Sequence, residues 1–305
     1  MIDVSVIIVS YNTLQLTKNC LNSIFEQTTG LNIEVIVSDN GSSDGSVEMI
    51  KSNFPSVILI ENNQNLGFGK ANNQGLKIAK GKYIFYLNSD TVLLNNAIYF
   101  FYNYWEHSNM PDEIGAIGGI LVDEKLRKIH SGGKFPTYET IYNESLYLLN
   151  KHRIAAFIKF FHLSWILKFR RNKIDRLSTF ESNVDYVTGA DLFLKNDNNA
   201  YFDENYFLYY EETDLELALV KKGKKCFLID GPEIMHCIHK QPVGGYKVSS
   251  FSTVQCQISE LRYVKKNLNH DLTDLYKIIK RDWRNPYISK MVKSSQKILD
   301  LIYRS

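Results

Sequence analysis

The sequence predicts an α/β protein with a mainly parallel sheet, helices on both faces of the sheet, and a helical extension at the C-terminal end. Two observations predict this fold class. Short β-branched segments alternate with helix-like segments through the first half of the chain, a pattern typical of βαβ units. The strand-like segments are also mostly apolar, as strands buried on both faces are. These segments are residues 4–9, 33–37, 57–60 and 83–87.

The remaining elements follow in chain order. After the first strand, Asn12 or Thr13 can cap a helix whose Leu14, Leu21 and Ile24 recur at helical spacing. A further helix is expected at about residues 69–79. The second half is less regular, and we expect a helical stretch at 146–171, strand–turn–strand at 184–195, a helix at 214–222, strands at 225–229 and 233–238, and helices from 251 onwards.

Composition excludes several classes of protein. The 305 residues include 36 Lys and Arg, 33 Asp and Glu, and 44% hydrophobic side chains, which is typical of a globular chain. The four cysteines show no CxxC spacing, which argues against a disulfide framework or a zinc knuckle and indicates a reducing compartment. No signal peptide is visible, and the apolar stretch 154–169 is interrupted by charge and too short to span a bilayer. We therefore expect a cytoplasmic protein.

Charge is distributed unevenly along the chain. Residues 151–176 carry a net charge of +7, residues 262–305 carry another +7, and the remainder carries −11. In the first segment aromatic and basic residues are interleaved, which suits either a helix resting on an anionic membrane surface or a core helix with a solvated end. Nucleic acid is not expected as a partner, because no nucleic-acid-binding motif accompanies the basic residues.

Polar side chains follow three of the predicted strands. Tyr11 and Asn12 follow the first strand, Asp39 and Asn40 the second, and the Asn88-Ser89-Asp90 segment the fourth. Ligands of open α/β sheets bind beyond the carboxyl ends of the strands. The three clusters therefore predict a single binding site at one edge of the sheet.

Two of these clusters allow two interpretations each. Asp39 could accept the imide N–H of a uracil or thymine base, or it could simply close an Asx turn with Gly41. Asp90 could hold Mg²⁺ or Mn²⁺ against a diphosphate, or it could cap the following helix.

A second candidate site lies in the second half of the chain. Glu211, Glu212 and Asp214 stand immediately before an apolar helical stretch. Acidic residues in a first helical turn complement the helix dipole, but one of them could instead act as a general base for an acceptor hydroxyl. His236 ends a strand-like run, where it could be a metal ligand or an ordinary structural residue.

The order and spacing of these segments resemble the family-two glycosyltransferases of the GT-A (Rossmann-like) fold. The resemblance covers roughly residues 3–240 and is closest to bacterial rhamnosyltransferase-like and galactofuranosyltransferase-like members. It is carried by residues 4–12, 39–45, 65–73, 87–90, 187–190, 202–207, the Glu-Glu-Thr-Asp segment and His236. It implies an inverting transfer of a sugar from a UDP- or dTDP-linked donor to a hydroxyl of a glycan or lipid-linked glycan.

The resemblance also implies roles for individual residues. Nucleotide-sugar binding falls to Ser10, Tyr11, Asn12, Asp39, Asn65, Gly67, Asn73, Asn88, Ser89 and Asp90; the acceptor side to Gly189, Ala190, Asp191 and Glu211; and the divalent metal, Mn²⁺ or Mg²⁺, to Asp90 and His236. Glu212 occupies the place of the catalytic base, with Asp214 as the alternative. The protein would then work in the cytoplasm, at the inner face of the cell membrane if the basic helix docks there.

Two positions depart from the family pattern. Asn88 replaces the first carboxylate of the metal motif and should weaken metal binding, whereas Glu212 is one methylene longer than the usual Asp. Asn88 leaves open a catalytically degenerate, glycan-binding relative. A sugar nucleotidyltransferase is the other alternative, although the loop after the first strand lacks the Gly and Lys that such enzymes need to hold a triphosphate.

The same resemblance predicts the domain organisation. A GT-A domain would span residues 1–240, with a nucleotide-sugar half at about 1–125 and an acceptor half at about 126–240. A basic aromatic insertion would occupy about 146–176, and a basic helical region would follow at 241–305.

Overall fold

The computed structural model describes residues 1–160, 183–237, 250–284, 292 and 295–304, without the side chains of 155–160 and 250. The chain forms two compact units. The first comprises Met1–Phe135, Leu177–Phe207 and Glu211–Gly245, and the second comprises Pro136–Arg176, Leu208–Tyr210 and Tyr246–Ser305. In this division the basic insertion and residues 246–305 of the C-terminal region belong to the same unit.

The first unit is built on one mixed sheet. Its strands are β1 Val4–Ser10, β2 Ile33–Asp39, β3 Ile58–Glu61, β4 Tyr83–Asn88, β5 Thr91–Leu93, β6 Ile114–Val122, β8 Asn183–Val184, β10 Asp191–Lys195 and β11 Lys225–His236, while β7 Gly132–Gly133 and β9 Tyr186–Val187 form a small second ladder. The main sheet runs in the order β3-β2-β1-β4-β10-β6-β11-β5. Strands β3, β2, β1 and β4 are parallel, whereas β10 is antiparallel to both β4 and β6.

The helices are distributed between the two units. The first unit contains α1 Leu14–Gln27, α2 Ser46–Asn53, α3 Phe68–Ile78, α4 Ala97–Glu106 and α6 Glu211–Lys221; the second contains α5 Tyr138–Phe160, α7 Ser250–Tyr263, α8 Thr273–Trp283 and α9 Gln296–Arg304, with a π-helical turn at Val264–Leu268. Within the described part of the chain, no helix is both long and apolar enough to cross a membrane.

Alternating side chains of the strands supply two hydrophobic cores, one on each face of the sheet. Val6 and Ile8 of β1 belong to the core that includes apolar residues of α1, α2 and α4. Ile7 belongs to the opposite core, with residues of α6 and, at its margin, of α3. Helix α3 packs closely because Gly75 faces the sheet, where an added Cβ would come within 2.6 Å of Ile7 Cγ2. This is the α/β layering that the sequence predicts.

Several local predictions differ from the structure. The first helix receives its N-terminal cap from a distant residue, because Asp44 Oδ2 accepts the Leu14 N–H at 2.9 Å and the Thr13 side chain makes no cap bond. The predicted strands at 225–229 and 233–238 form one strand, β11, with an irregularity between Leu228 and Glu233. The predicted helix at 146–171 begins earlier, at Tyr138, and residues 161–171 lie outside the described residues, as does residue 238.

The second unit is helical and contains a buried polar network. Asp282 is fully buried and accepts hydrogen bonds from Gln257 Nε2 at 3.0 Å and from His152 Nδ1 at 2.8 Å. Gln257 Oε1 in turn accepts the indole N–H of Trp283 at 2.6 Å. The network ties α5, α7 and α8 together, because each of the three helices contributes at least one of its members.

Candidate active site

The ends of three parallel strands lie side by side in the first unit. Ser10, the last residue of β1, is in register with Asp39, the last residue of β2. On the other side of β1, Val9 is in register with Asn88, the last residue of β4. The predicted polar clusters therefore occupy one edge of the sheet, as the sequence indicated.

The loop after β1 is held by the turn that follows β2. Asn12 has a left-handed backbone with φ of 54°; its N–H donates to Ser42 Oγ at 2.8 Å, and its Oδ1 accepts the Ser43 N–H at 2.8 Å. Ser10 is buried at the strand end, and Tyr11 remains 46% exposed. Of these three predicted nucleotide-binding residues, Tyr11 is the most accessible to a ligand.

Asp39 is engaged by its own turn. Its Oδ2 accepts the N–H groups of Gly41 and Ser42 at 3.1 and 2.8 Å, and its Oδ1 accepts the Ser42 hydroxyl at 2.6 Å. This arrangement is the Asx-type turn that the sequence left open. A nucleotide base that contacted this carboxylate would share it with the turn.

The segment after β3 forms a tight connection into α3. Asn65 Oδ1 accepts the Gly67 N–H at 2.9 Å, and Gly67 has φ of 88° where an added Cβ would collide with the carbonyl oxygen of Phe207. Asn73 is fully buried and exchanges two hydrogen bonds of 2.9 Å with the backbone of Phe202. Asn65 and Gly67 therefore shape the loop, whereas both amide atoms of Asn73 are bound to the protein itself.

The structure brings Asp90 and His236 together. Strand β5 pairs with β11 so that Thr91 is opposite His236, and this register leaves Asp90 Oδ1 at 3.1 Å from His236 Nε2. The side chains of Asp90 and His236 are 26% and 19% exposed, so both are accessible from solvent. Ser89, between Asn88 and Asp90, hydrogen-bonds to Thr13 Oγ1 at 3.3 Å.

This pair fits a divalent cation that a diphosphate helps to bind. A carboxylate oxygen and an imidazole nitrogen are both ligands of Mn²⁺, and an adjacent Asn offers a neutral carbonyl oxygen. Among the described residues, however, no group of three or more His, Cys, Asp or Glu side chains could hold a metal. A cation here would therefore need oxygen ligands from its diphosphate or from water to complete its coordination.

Glu212 lies in the first turn of α6, against the loop that contains Gly189. Its carboxyl group lies near the N–H group of Gly189 and near the N–H groups of Glu212 and Thr213, which a helix N-terminus leaves without partners. Burial raises the pKa of Glu212, and these N–H groups limit the rise. A carboxylate with a raised pKa is a stronger base than an ordinary glutamate, and the Glu212 side chain is only partly buried, which suits a proton acceptor.

The other two acids of this segment are more enclosed. Asp214 is buried, and its Oδ1 accepts the Tyr206 hydroxyl at 3.3 Å. Glu211 is also buried, with its Cβ beside Gly69 of α3. Between the two candidate bases, the geometry favours Glu212, because Glu212 is only partly buried whereas Asp214 is bound within the protein.

Backbone strain precedes α6. Tyr209 and Tyr210 have φ of 69° and 70°, a left-handed conformation that bulky side chains rarely adopt. Each such residue costs on the order of 1–3 kcal/mol and persists only where its surroundings enforce it. The conformation directs the chain into the helix that begins at Glu211.

One residue of the site, Glu216, was missed by the sequence analysis. It lies one helical turn after Glu212, is fully buried, and accepts the Val187 N–H at 2.8 Å through Oε1. The side chains of Glu212 and Glu216 thus both face the segment 187–189. The spacing of four residues between Glu212 and Glu216 is the signal that could have revealed this pair.

Asp191, the first residue of β10, is a buried acid like Glu216. Its Oδ2 accepts the Gly119 N–H at 2.6 Å, and its Oδ1 has no hydrogen-bond partner among the described residues. Burial raises the pKa of both Asp191 and Glu216 well above their usual values; the charge of Glu212 raises that of Glu216 further. Asp191, predicted on the acceptor side, is therefore enclosed rather than presented to a ligand.

The two halves of the candidate site share one edge of the sheet. Because β10 runs antiparallel to β4, Asp191 is in register with Leu87, and the Asn88 N–H donates to the Ala190 carbonyl at 3.0 Å. Gly189, which precedes Ala190, lies beside the Glu212 side chain. The end of β4, which leads to Asp90, is thus linked through Ala190 and Gly189 to Glu212.

Comparison with known proteins identifies the family. The model of "Glycosyl transferase family 2" matches residues 5–167, more than half of the chain. The chain belongs to this family. The predicted family, the glycosyltransferase assignment and the GT-A fold are confirmed; the finer likeness to rhamnosyl- and galactofuranosyltransferases stays a prediction.

Individual glycosyltransferases show how far the similarity extends. The poly(ribitol-phosphate) beta-N-acetylglucosaminyltransferase TarP of Staphylococcus aureus is 28% identical over 79% of this chain and 73% of its own. The poly(ribitol-phosphate) beta-glucosyltransferase of Bacillus spizizenii is 32% identical over 38% of this chain, which is only 19% of that relative.

A solved structure supports the fold. The Pyrobaculum calidifontis mannosyltransferase PcManGT, determined in complex with GDP-Man and Mn²⁺, superposes with a TM-score of 0.56 at 14% identity, covering 96% of this chain and 75% of that one. At this level of identity the likeness concerns the architecture alone.

Proposed function

We propose that the protein is an inverting glycosyltransferase that moves a sugar from a UDP- or dTDP-linked donor to a hydroxyl group of a cell-surface polysaccharide acceptor. The observation that carries this proposal is the placement of the Asp90–His236 pair and the Glu212 carboxyl group at one edge of the sheet. A transferase that inverts in one step needs a charge-neutralising site for the leaving diphosphate and a base for the acceptor.

The donor would lie across the ends of β1, β2 and β4. Tyr11 and the turn at Asp39 would flank the base, and Asp90 and His236 would hold Mn²⁺ or Mg²⁺ beside the diphosphate. Such an ion, when bound, neutralises negative charge on the departing nucleoside diphosphate. Asn88 contributes no charge, so the affinity for metal would depend strongly on the diphosphate.

Glu212 would act as the general base. The acceptor hydroxyl oxygen attacks the anomeric carbon and its proton passes to Glu212, while the bond from that carbon to the diphosphate oxygen breaks. The configuration at the anomeric carbon is inverted because attack and departure occur on opposite faces. Packing of the Glu212 side chain against Gly189 would restrict the carboxyl group, so that less orientation entropy is lost in the transition state.

The acceptor side of the proposal rests on the relatives and on charge. Two relatives are named for poly(ribitol-phosphate), so a hydroxyl of a polyol-phosphate or another cell-wall polymer is the acceptor class we favour, with a lipid-linked glycan as the alternative. The basic segments of the sequence favour action in the cytoplasm at an anionic membrane surface. Sedimentation with anionic vesicles at low and high salt tests this location.

A nucleotide-sugar screen tests the proposed function directly. A bound donor should raise the melting temperature in the presence of Mn²⁺, by mass action, and the stabilising donor should then release its nucleoside diphosphate when an acceptor is added. Stabilisation without any release would favour the catalytically degenerate relative that Asn88 leaves open. If no UDP- or dTDP-sugar stabilises the protein, the proposed donor class is wrong.

A further inference from the structure

A cavity lined by three arginines lies in the second unit. It is open to solvent, has a volume of about 340 Å³ and lies between α5 and α8; its described lining residues are Leu149, Arg153, Arg281 and Arg284. Leu149 and Arg153 are one turn apart on α5, whereas Arg281 and Arg284 lie at the C-terminal end of α8. We refer to these three basic residues as the arginine cluster.

The buried network of the second unit holds the backbone of this cluster in place. His152, adjacent to Arg153, contacts the carboxyl group of Asp282, which lies between Arg281 and Arg284 in the sequence. Gln257 and Trp283 extend the same network into the core. The three arginines therefore project from two helices that are joined at neighbouring residues, so their backbone positions are fixed before any ligand arrives.

No acid neutralises the arginine cluster within the described part of the chain. Asp282 is the nearest acid in sequence, but its two oxygens are bound to His152 and Gln257 in the core. None of the three guanidinium groups forms an ion pair with a described residue, and all three side chains are exposed. Lys277 and Lys280 of α8, in contrast, each have an aspartate partner.

The helix dipole explains only part of this arrangement. Cations at the end of a helix interact favourably with its C-terminal carbonyl groups, which accounts for Arg281 and Arg284. Arg153 lies two turns before the end of α5 and gains nothing from that effect. Placing it opposite two other arginines costs electrostatic energy that an anionic ligand would recover.

We propose that the arginine cluster is a binding site for a phosphate or diphosphate group. The planar guanidinium group donates paired hydrogen bonds that match phosphate oxygens, and three such groups around one cavity suit a multiply charged anion. The second unit as a whole has twenty basic and eight acidic residues, which favours the approach of such an anion. The phosphate could belong to a soluble phosphate-bearing acceptor or to a phospholipid headgroup.

Calorimetric titration of the full chain with inorganic pyrophosphate tests the site. EDTA is included so that the Asp90–His236 pair cannot bind pyrophosphate through a metal. We expect R153A/R281A/R284A to weaken binding by at least about tenfold without lowering the melting temperature, because the removed groups are exposed and repel one another. The R153K/R281K/R284K variant keeps the charge but loses the paired donors. Its affinity for pyrophosphate should therefore lie between those of the wild type and the triple alanine variant.

A charge-matched variant separates a specific site from general attraction. K266A/K297A/R304A removes three positive charges from exposed positions of the second unit that lie on neither α5 nor α8. It should change pyrophosphate affinity less than about twofold at physiological salt, where charges beyond a Debye length are screened. Equal weakening of pyrophosphate binding by R153A/R281A/R284A and by the charge-matched variant would overturn the proposal. Binding that survives the loss of all three arginines would overturn it as well.

Vesicles identify the source of the phosphate. Vesicles of phosphatidylcholine with and without phosphatidic acid are compared by co-sedimentation with the same variants. Cluster-dependent binding to the phosphatidic acid vesicles, stronger than binding to pyrophosphate, assigns the site to lipid headgroups; cluster-dependent binding to pyrophosphate alone assigns it to a soluble phosphate ligand. The site does not depend on the proposed sugar transfer, so donor binding and turnover can fail or succeed separately from it.

Discussion

The two units of the chain differ in both architecture and charge. The first unit is organised around a sheet and has a net charge of −9, whereas the second is helical and has a net charge of +12. In the first, strand register places the chemically important side chains; in the second, a buried network between helices places them. A candidate donor site and a basic surface are thus carried by separately organised parts of one chain.

The sharpest test of the first unit is the change Glu212→Gln. Removal of a positioned general base should lower turnover by about 10²–10⁴-fold, while donor affinity stays near that of the wild type. Steady-state kinetics and donor titration measure the two effects. Glu48→Gln, at an exposed position on α2, is the control. Unchanged turnover in Glu212→Gln would move the base to another residue.

The change Asp90→Ala tests whether donor binding by the first unit depends on a metal ion. Loss of the carboxylate leaves His236 and the neutral Asn88, so we expect at least about tenfold weaker donor binding with Mn²⁺. Calorimetry with and without Mn²⁺ measures this. Pyrophosphate binding in EDTA should not change, because the arginine cluster is intact. If the affinity for the donor is the same with and without Mn²⁺ in the wild type, the pair has no metal role.

Asp282→Ala is the corresponding change in the second unit. It leaves Gln257 and His152 without their buried acceptor, which should lower the free energy of unfolding by about 1–3 kcal/mol. Chemical denaturation measures the loss. The same variant should weaken pyrophosphate binding, because the helices that carry the arginine cluster lose their connection. Full stability in Asp282→Ala would contradict the role assigned to the network.

The smallest expected effect is the contribution of Glu216 to the pH dependence of the free energy of unfolding. Burial raises the pKa of this residue in the folded protein, so above about pH 4.5 the unfolded chain releases a proton that the folded protein retains. Its contribution to stability therefore falls as pH rises from there towards the folded-state pKa. Glu216→Gln keeps an acceptor for the Val187 N–H but removes this titration.

Melting temperatures between pH 4.5 and 8 check this prediction. The stability of Glu216→Gln relative to the wild type should increase with pH over that range. A constant difference would mean that Glu216 does not retain its proton in the folded state. Glu48→Gln again serves as the control, since its exposed carboxyl group should give no such trend.

Much of the candidate site could be predicted because it follows strand ends. The residues after β1, β2 and β4 are polar interruptions of apolar runs, and parallel strands bring their carboxyl ends to one edge whatever the loops do. The acidic start of α6 was also visible, because Glu211, Glu212 and Asp214 stand immediately before an apolar helical stretch. Glu216 and the Asp44 cap were missed because their partners, Val187 and Leu14, lie about 30 residues away in the sequence.

By itself, the sequence determined the alternation of strands and helices, the polar edge of the sheet, and the uneven distribution of charge, because each depends on local composition or periodicity. The resemblance implied that Asp90 and His236 share a metal ion, but only the tertiary structure decided that these side chains lie 3.1 Å apart. It also decided that Gly189 lies beside Glu212 and that Arg153 joins Arg281 and Arg284 around one cavity. Those contacts join residues far apart along the chain, and strand register and helix packing, which bring them together, leave no local pattern in the sequence.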